Sequence, residues 1–399
     1  GRRWIGDELE RRRRQRLRKA VRREVRQSRV ARALAPLEHR AGEQHLRADL
    51  AETPIVVLMG GASEEREVSL TSGRAALDAL RDLSGASYDV SPPVLATEID
   101  ADERWRVDGV PLDPTRALEA LPERAVFLLA LHGGAGEDGR VQAFLEIAGR
   151  RHTGADTTTS ALCMHKHHAR LVAADAGRAV APAAFVTAGE YRSARETALE
   201  RLAAVPGAIR FAKHASAGSS FGVFRCASDE DLVRAADEIA ESGGDVLVEA
   251  EIAGLETTAG LIGDGADAAT LPIAEIVPRS GAFFDHEQKY ASHGGADETC
   301  PPVHLPDAIA ARIQDRALRA WGAFGGRGYA RIDFIVPCRT ARDGARSFEA
   351  DVEPVLLEAN TLPGFTPRSL LPLAAAADGV AFRELCLEVV ARALRSDHP

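Results

Sequence analysis

Four residues on two short apolar runs carry the clearest chemical signal in this chain. In "GYARIDFIV" (328–336), Arg331 and Asp333 alternate with Ile332 and Phe334. On a strand the first two share one face and the apolar two share the other. In "PVLLEAN", Glu358 and Asn360 share one face by the same rule, and Leu357 and Ala359 share the opposite one. Two such strands would gather two carboxylates, an amide oxygen and a guanidinium on a common surface. Hard oxygen donors suit Mg²⁺ held between protein and phosphates, and the cation beside them suits a developing anion. A solvated sheet face with a salt bridge fits the same spacing.

Weaker signals surround these. "KHASAGSSFGV" (213–223) places Lys213 at the end of an apolar strand, followed by Gly218, Ser219, Ser220 and Gly222. Such a loop could offer backbone N–H groups and hydroxyls to phosphate oxygens, or be a plain hairpin turn. "GGASEEREVSL" (60–70) puts Glu64, Glu65 and Glu67 at a strand-to-helix turn. There a carboxylate either answers the helix N-terminus or receives a substrate ammonium. "LHGGAGEDG" sets His132 and Glu137 on a second glycine-rich loop, and "MHKHHAR" spaces His165 and His168 one turn apart. That last pair reads as an exposed helix face rather than a zinc site.

The elements that must position these groups follow from periodicity. Ile55 to Met59 is a continuous apolar run ending in Gly60-Gly61, as a buried parallel strand would be. "AVFLLALHGGAGEDG" (125–139) repeats the pattern, and helical spacing follows each run. Alternating strands and helices imply a doubly wound α/β unit with function on the loops at the strand C-ends. Beyond about residue 155 the texture becomes helix, paired strands, helix, strand, and strands dominate from 250 until the helices at 306–324 and near the C-terminus. No internal repeat is present.

Composition bounds the class. The chain has 399 residues, enough for two or three domains, and a net charge of −9. No apolar run is long enough to cross a bilayer, and no signal-peptide pattern is present. The five cysteines lie far apart with no C-x-x-C pair, which reads as reduced thiols in a cytoplasmic protein. The chain begins with Gly rather than Met, which reads as a fragment or a processed product. Residues 1–35 carry a net charge of +10 on a segment with helical spacing and only one aromatic, Trp4. This basic arm is suited to nucleic acid, anionic lipid, a second subunit or the acidic body of its own chain; residues 35–53 read as a linker.

Taken in order, "VVLMGGASEEREVSLTSG", "LHGGAGEDGRVQAFLEIAGRRHTGADTTTSAL", "AKHASAGSSFGV", "FFDHEQKY", "ARIDF" and "LLEANTLPGFTPRSLLP" resemble the D-alanine–D-alanine ligases of the ATP-grasp superfamily. The resemblance covers about residues 54–396. It implies an α/β and α+β architecture of three domains with the nucleotide between two antiparallel sheets. The boundaries would be a basic helical extension and linker (1–53), an N-terminal α/β domain (54–154), a central subdomain (155–249) and a C-terminal subdomain (250–399). It implies ATP-dependent joining of two D-alanines through an acyl phosphate, for peptidoglycan precursors, by a homodimer without a membrane span. By this resemblance Lys166 and Lys213 meet the nucleotide phosphates, Glu249 the adenine side and Glu256 the ribose. Asp333, Glu358 and Asn360 hold two Mg²⁺, with Mn²⁺ as an alternative. Glu65 takes the first D-alanine's ammonium, and Ser219 and Tyr290 link to it across a mobile loop. Lys289 approaches the transferred phosphate, Arg331 and the Gly364 backbone stabilise the oxyanion, and Ser369 takes the second D-alanine's carboxylate.

Some positions depart from the family pattern. His214 stands where Pro is usual, His165 where Asp is usual and Arg170 where Lys is usual, and "CPPVHLP" replaces the commoner "CPA". These bear on nucleotide geometry and leave room for a related ligase with another acceptor, or for a non-catalytic scaffold carrying a basic arm. Lys289-Tyr290 argues against the ester-forming relatives, and retention of both lysines and the metal-ligand set argues against the scaffold.

Overall fold

The computed structural model describes residues 43–83, 90–218, 222–278, 296–341 and 344–395. The basic arm and the positions of Ser219, Lys289 and Tyr290 lie outside the described residues. The stretch read as linker is in part a helix, α1 (Glu43–Glu52). Leu46 and Leu50, one turn apart, are its buried contribution to the first core. Two leucines among charges give too little periodicity to reveal it.

The first sheet holds β1 (Ile55–Gly60), β2 (Val94–Ile99), β3 (Trp105–Val107), β4 (Val110–Leu112), β5 (Val126–Leu129) and β6 (Arg151–His152), in the order β4-β3-β2-β1-β5-β6. β1 is flanked in parallel by β2 and β5, which explains why all six of its residues are buried. At Gly60 φ is +93°, and a Cβ would lie 2.2 Å from the Ile99 carbonyl oxygen, so the strand can end there only in glycine. The sheet is wound by α2 (Arg66–Arg81), α3 (Pro114–Ala120) and α4 (Arg140–Ile147). α5 (Thr157–Met164) and α6 (Lys166–Asp175) then lead away from it.

The second and third sheets follow. A short strand, β7 (Ala179–Val180), joins the third sheet by pairing in parallel with its distant partner near residue 355. The second sheet is β8 (Ala183–Val186), β9 (Arg210–His214), β10 (Val223–Cys226) and β11 (Val246–Ala250), all antiparallel. It is backed by α7 (Ala188–Ser193), α8 (Arg195–Ala203) and α9 (Asp229–Glu241). α9 starts with a reciprocal Ser228–Asp231 capping box.

The third sheet runs through β12 (Gly254–Ile262), β13 (Ala269–Thr270), β14 (Ala274–Pro278), β15 (Ala296–Thr299) and β16 (Tyr329–Pro337). The hairpin β17 (Arg339–Thr340) and β18 (Arg346–Ser347) precedes its last long strand, β19 (Val355–Asn360). α10 (Asp307–Ala323) covers its apolar face with Ile309, Ile313, Ala317 and Trp321 buried. α11 (Leu370–Ala377) and α12 (Phe382–Arg395) end the chain. α12 packs not on the third sheet but on α1, α2 and β5 of the first. The first core also takes in Tyr329, Leu362 and Phe365, so the turn after β19 is anchored in the first unit.

One strand reading needs correction. Ile332 and Phe334 of β16 are fully buried, as alternation requires. In β19, however, Asp333 pairs with Glu358 whereas Phe334 pairs with Leu356. Leu357 is the extra residue of a bulge, so it lines the cavity between the sheets while Leu356 and Ala359 enter the core. A one-residue bulge reverses the alternation on which the sequence expectation rested.

Candidate active site

A cavity of about 270 Å³ lies between the second and third sheets. It collects Lys166 from α6, Lys213 from β9, Glu249 from β11, Glu256 from β12, Arg331 and Asp333 from β16, and Glu358 from β19. Among the described residues, every expected nucleotide-facing or metal-binding side chain except Asn360 therefore lines it. Asn360 lines an adjoining small cavity, whose walls also include Lys166 and Glu358 together with Glu137 and Gly218.

The cross-strand register does the gathering. Arg331 lies opposite Asn360 and Asp333 opposite Glu358. Arg331 grips Asp333 with two N–H groups, each 2.9 Å from a carboxylate oxygen. The Thr258 hydroxyl donates to the same carboxylate from β12. Burial alone would lower the Arg331 pKa, but Asp333, and beyond it Glu358 and Glu256, hold it above the ordinary guanidinium range. The donor set is three oxygen-bearing side chains on adjacent strands, and it fits a hard divalent cation. Asn360 Oδ1 meanwhile accepts the Leu362 N–H at 3.1 Å, which aims the start of the following turn.

The lysines are held by carboxylates. Lys213 Nζ lies 2.6 Å from Glu249 Oε2, and Arg170 Nε lies 3.5 Å from Glu249 Oε1. Burial opposes a charged Lys213, yet Glu249 outweighs it, with Glu358 and Glu256 adding, so the pKa is raised. Lys166 Nζ donates to the Ala217 carbonyl and sits 3.5 Å from Glu358 Oε2. The histidines that depart from the family pattern shape this corner without ligating. His165 caps α6 by accepting the His168 N–H, and its ring stacks on that of His168 at 3.8 Å. Among the described residues no group of three His, Cys, Asp or Glu is set to hold a metal. His214 packs against Gly244, where a Cβ would lie 2.3 Å from the ring. Burial and then Lys166 push its pKa down, which favours the neutral imidazole.

The second half of the site is built from turns and one helix. Glu65 holds the position before α2 without capping it through its side chain. Its carboxylate instead abuts Gly133 and Gly218: a Cβ at either would lie 2.7 or 2.8 Å from Glu65 Oε2. Glu137 Oε2 accepts the Gly133 N–H at 3.0 Å. Two carboxylates thus border one glycine-walled space, which suits an ammonium. Ser369 begins α11 without capping it, its Oγ lying 3.1 Å from Thr366 N and 2.9 Å from Thr366 Oγ1. Gly364 faces that serine closely enough that a Cβ would lie 2.9 Å from its Oγ.

The sequence reading missed the polar stripe of α2. Glu65, Ser69 and Ser72 lie at i, i+4 and i+7, all on the buried side. Ser69 Oγ accepts from Gly60 N at 2.8 Å and donates to the Ala130 carbonyl at 2.7 Å, tying the two glycine loops together. Ser72 Oγ lies 3.0 Å from His132 Nε2 and accepts the Phe365 N–H at 3.2 Å. A helical period of polar residues within "EREVSLTSG" was the available signal.

Comparison with known proteins places this geometry. Residues 54–155 match the family model described as "D-ala D-ala ligase N-terminus", and residues 172–391 match "D-ala D-ala ligase C-terminus". The chain is 39% identical over 337 residues to the D-alanine–D-alanine ligase of Desulforudis audaxviator, covering 84% of this chain and 97% of that protein. It is 37% identical to the Bordetella petrii enzyme of the same name, covering 86% and 92%. Among solved structures, the VanG D-Ala:D-Ser ligase from Enterococcus faecalis superposes with a TM-score of 0.69 at 25% identity, covering 86% of this chain and 99% of that one. The Coxiella burnetii D-alanine–D-alanine ligase shares the fold with a TM-score of 0.66 at 23% identity, covering 86% and 95%.

Proposed function

The chain belongs to the D-alanine–D-alanine ligase family, with the ATP-grasp fold, and from that premise we propose how its residues work. The protein is an ATP-dependent ligase that joins two D-alanines into D-alanyl-D-alanine for peptidoglycan precursors, releasing ADP and phosphate.

ATP occupies the cavity between the second and third sheets. Lys166 and Lys213 face its phosphates, Glu249 the adenine side and Glu256 the ribose. Glu65 receives the ammonium of the first D-alanine, whose carboxylate oxygen attacks the γ-phosphorus. The bond to the ADP oxygen breaks and an acyl phosphate forms. The amine of the second D-alanine then attacks the acyl carbon and loses a proton, and phosphate leaves. Arg331 and the Gly364 N–H stabilise the tetrahedral oxyanion between those events. Ser369 and the first turn of α11 take the acceptor's carboxylate, since the opening N–H groups of a helix favour an anion. Asp333, Glu358 and Asn360 would hold two Mg²⁺, or Mn²⁺ in their place; when bound, these ions neutralise phosphate charge. Ser219 and Tyr290 take the roles the resemblance gives them in closing the site, and Lys289 approaches the transferred phosphate.

The observation that carries this reading is the cross-strand register of β16 and β19, which sets Arg331, Asp333 and Glu358 in one cavity with Lys166 and Lys213 and puts Asn360, opposite Arg331, in the adjoining one. The test is phosphate release from ATP with D-alanine alone, then with D-lactate, D-serine and L-amino acids as acceptors. Turnover with D-alanine alone is expected. Silence with D-alanine but turnover with D-serine would move the protein to a related ligase, a reading that the likeness to a D-Ala:D-Ser ligase keeps open. We further place the enzyme in the cytoplasm as a homodimer, which sedimentation of the purified protein would test. Among the described residues no helix is long and apolar enough to cross a membrane.

A further inference from the structure

Phe365 follows Gly364, the residue whose N–H the proposed reaction aims at the oxyanion, and precedes Ser369 by four positions. The turn that carries both has little regular structure of its own. Its Phe365 N–H is held by a side chain 293 residues away in sequence, the Ser72 hydroxyl at 3.2 Å. Ser72 is fully buried on α2, and Phe365 is 2% exposed. On the other side Ser72 Oγ meets His132 Nε2 at 3.0 Å, on the loop that also bears Gly133. The hydroxyl can accept the Phe365 N–H and at the same time pair with Nε2 in either His132 tautomer, so it bridges the two residues whichever of them donates.

The consequence is directional. One hydroxyl spans the two halves of the amino-acid site. Its anchor, His132, belongs to the loop beside Glu65, and its load, Phe365, belongs to the acceptor turn. Apolar packing also holds Phe365, between Tyr329 at 5.7 Å and Phe382 at 5.5 Å between ring centroids. Ring packing fixes where the side chain lies but leaves the peptide plane free to rock. The Ser72 bond fixes the plane of the Gly364–Phe365 peptide, from which the chain turns through Thr366, whose N–H meets Ser369 Oγ, so the place of Ser369 depends on that plane. From this we infer that Ser72 is a positioning residue for acceptor binding: it sets the geometry of the Phe365–Ser369 turn, and so the place of Ser369, and has no part in acyl phosphate formation.

The inference rests on the proposed two-step ligation, so its test separates the steps. Hydroxylamine can replace the second D-alanine: its nitrogen attacks the acyl carbon, phosphate leaves, and D-alanine hydroxamate forms without use of the acceptor subsite. Dipeptide formation over a range of D-alanine concentrations reports the acceptor subsite. In Ser72→Ala, which breaks the bonds to both Phe365 and His132, the acceptor Michaelis constant is expected to rise about three- to tenfold, the loss of the one that holds the acceptor turn, while hydroxamate formation stays within about twofold. An unchanged acceptor constant overturns the inference, as does a hydroxamate rate that falls by the same factor. If the alanine variant does not fold, Ser72→Cys, nearly isosteric with a weaker donor and acceptor, is judged by the same two numbers. A wild-type enzyme making neither dipeptide nor hydroxamate would defeat the ligase reading and the inference with it. A wild type making both, matched by Ser72→Ala, would defeat the inference alone.

Discussion

The proposed nucleotide end and the proposed amino-acid end of this site are built by different means. At the nucleotide end the working groups are charged, stand on strands except for Lys166 at the start of α6, and answer one another in pairs: Lys213 with Glu249, Arg331 with Asp333, Lys166 with Glu358. At the amino-acid end the groups stand on turns and one helix. There they are placed by neutral hydrogen bonds and by the absence of side chains at glycines: Ser69 and Ser72 on one side, Gly133 and Gly218 against Glu65 on the other. Phosphoryl chemistry needs fixed charge, which rigid strands supply well. Recognition of an amino acid needs close backbone approach, which turns supply. The two ends should therefore fail differently when damaged.

The largest failure should follow the loss of a buried charge. Arg331→Met removes the guanidinium proposed to face the oxyanion and strands Asp333, which is 4% exposed with only the Thr258 hydroxyl left of the contacts described above. Ligation should fall by roughly a thousandfold, and stability by about 3–5 kcal/mol. Phosphate release and the denaturant midpoint report the two effects. Turnover within tenfold of wild type would mean that the oxyanion is stabilised elsewhere, and the contrast between the ends would lose its main support.

An intermediate effect is expected from adding atoms at the other end. A Cβ on Gly218 would sit 2.8 Å from Glu65 Oε2 and 3.3 Å from Glu137 Oε2. Both carboxylates are buried, so neither can swing away freely. Gly218→Ala should lower kcat/KM for the donor D-alanine by about ten- to a hundredfold, with the Michaelis constant for ATP little changed. An equal loss in both constants would show that the glycine loop serves the nucleotide rather than the ammonium.

The same division explains what the sequence made legible. Strand alternation exposed Arg331 with Asp333 and Glu358 with Asn360, because a period of two is a local property. It misassigned Leu357, because a bulge in β19 is decided by pairing with β16 and leaves no mark in the alternation itself. The resemblance supplied Glu65 and Ser369. Ser69 and Ser72 went unremarked, since polar residues on the inward face of a helix contradict the usual hydrophobic pattern. Their partners, Gly60, Ala130, His132 and Phe365, come together only through the tertiary fold. α1 was missed for want of periodicity, and the three-sheet arrangement was accessible through the resemblance rather than through composition.

The smallest effect sharpens the contrast through pH. Asp378 ends α11, the helix whose first turn faces the proposed acceptor carboxylate. It is 7% exposed, its Oδ2 has no hydrogen-bond partner, and it sits at the helix end that disfavours negative charge. Burial raises its pKa to about 6. Between the unfolded value near 4 and the folded value near 6, the native state holds a proton that the unfolded chain has released. This group's contribution to stability therefore falls as pH rises through that window and is flat above it. Asp378→Asn removes the titration. The variant should match wild type near pH 4 and exceed it above pH 6 by an amount on the order of 2 kcal/mol. Denaturant melts at pH 4 and pH 8 measure the difference. A variant that kept the wild-type slope between those values would locate the uncompensated charge elsewhere. It would also remove the one ionised group that sets the acceptor helix apart from the paired charges of the nucleotide end.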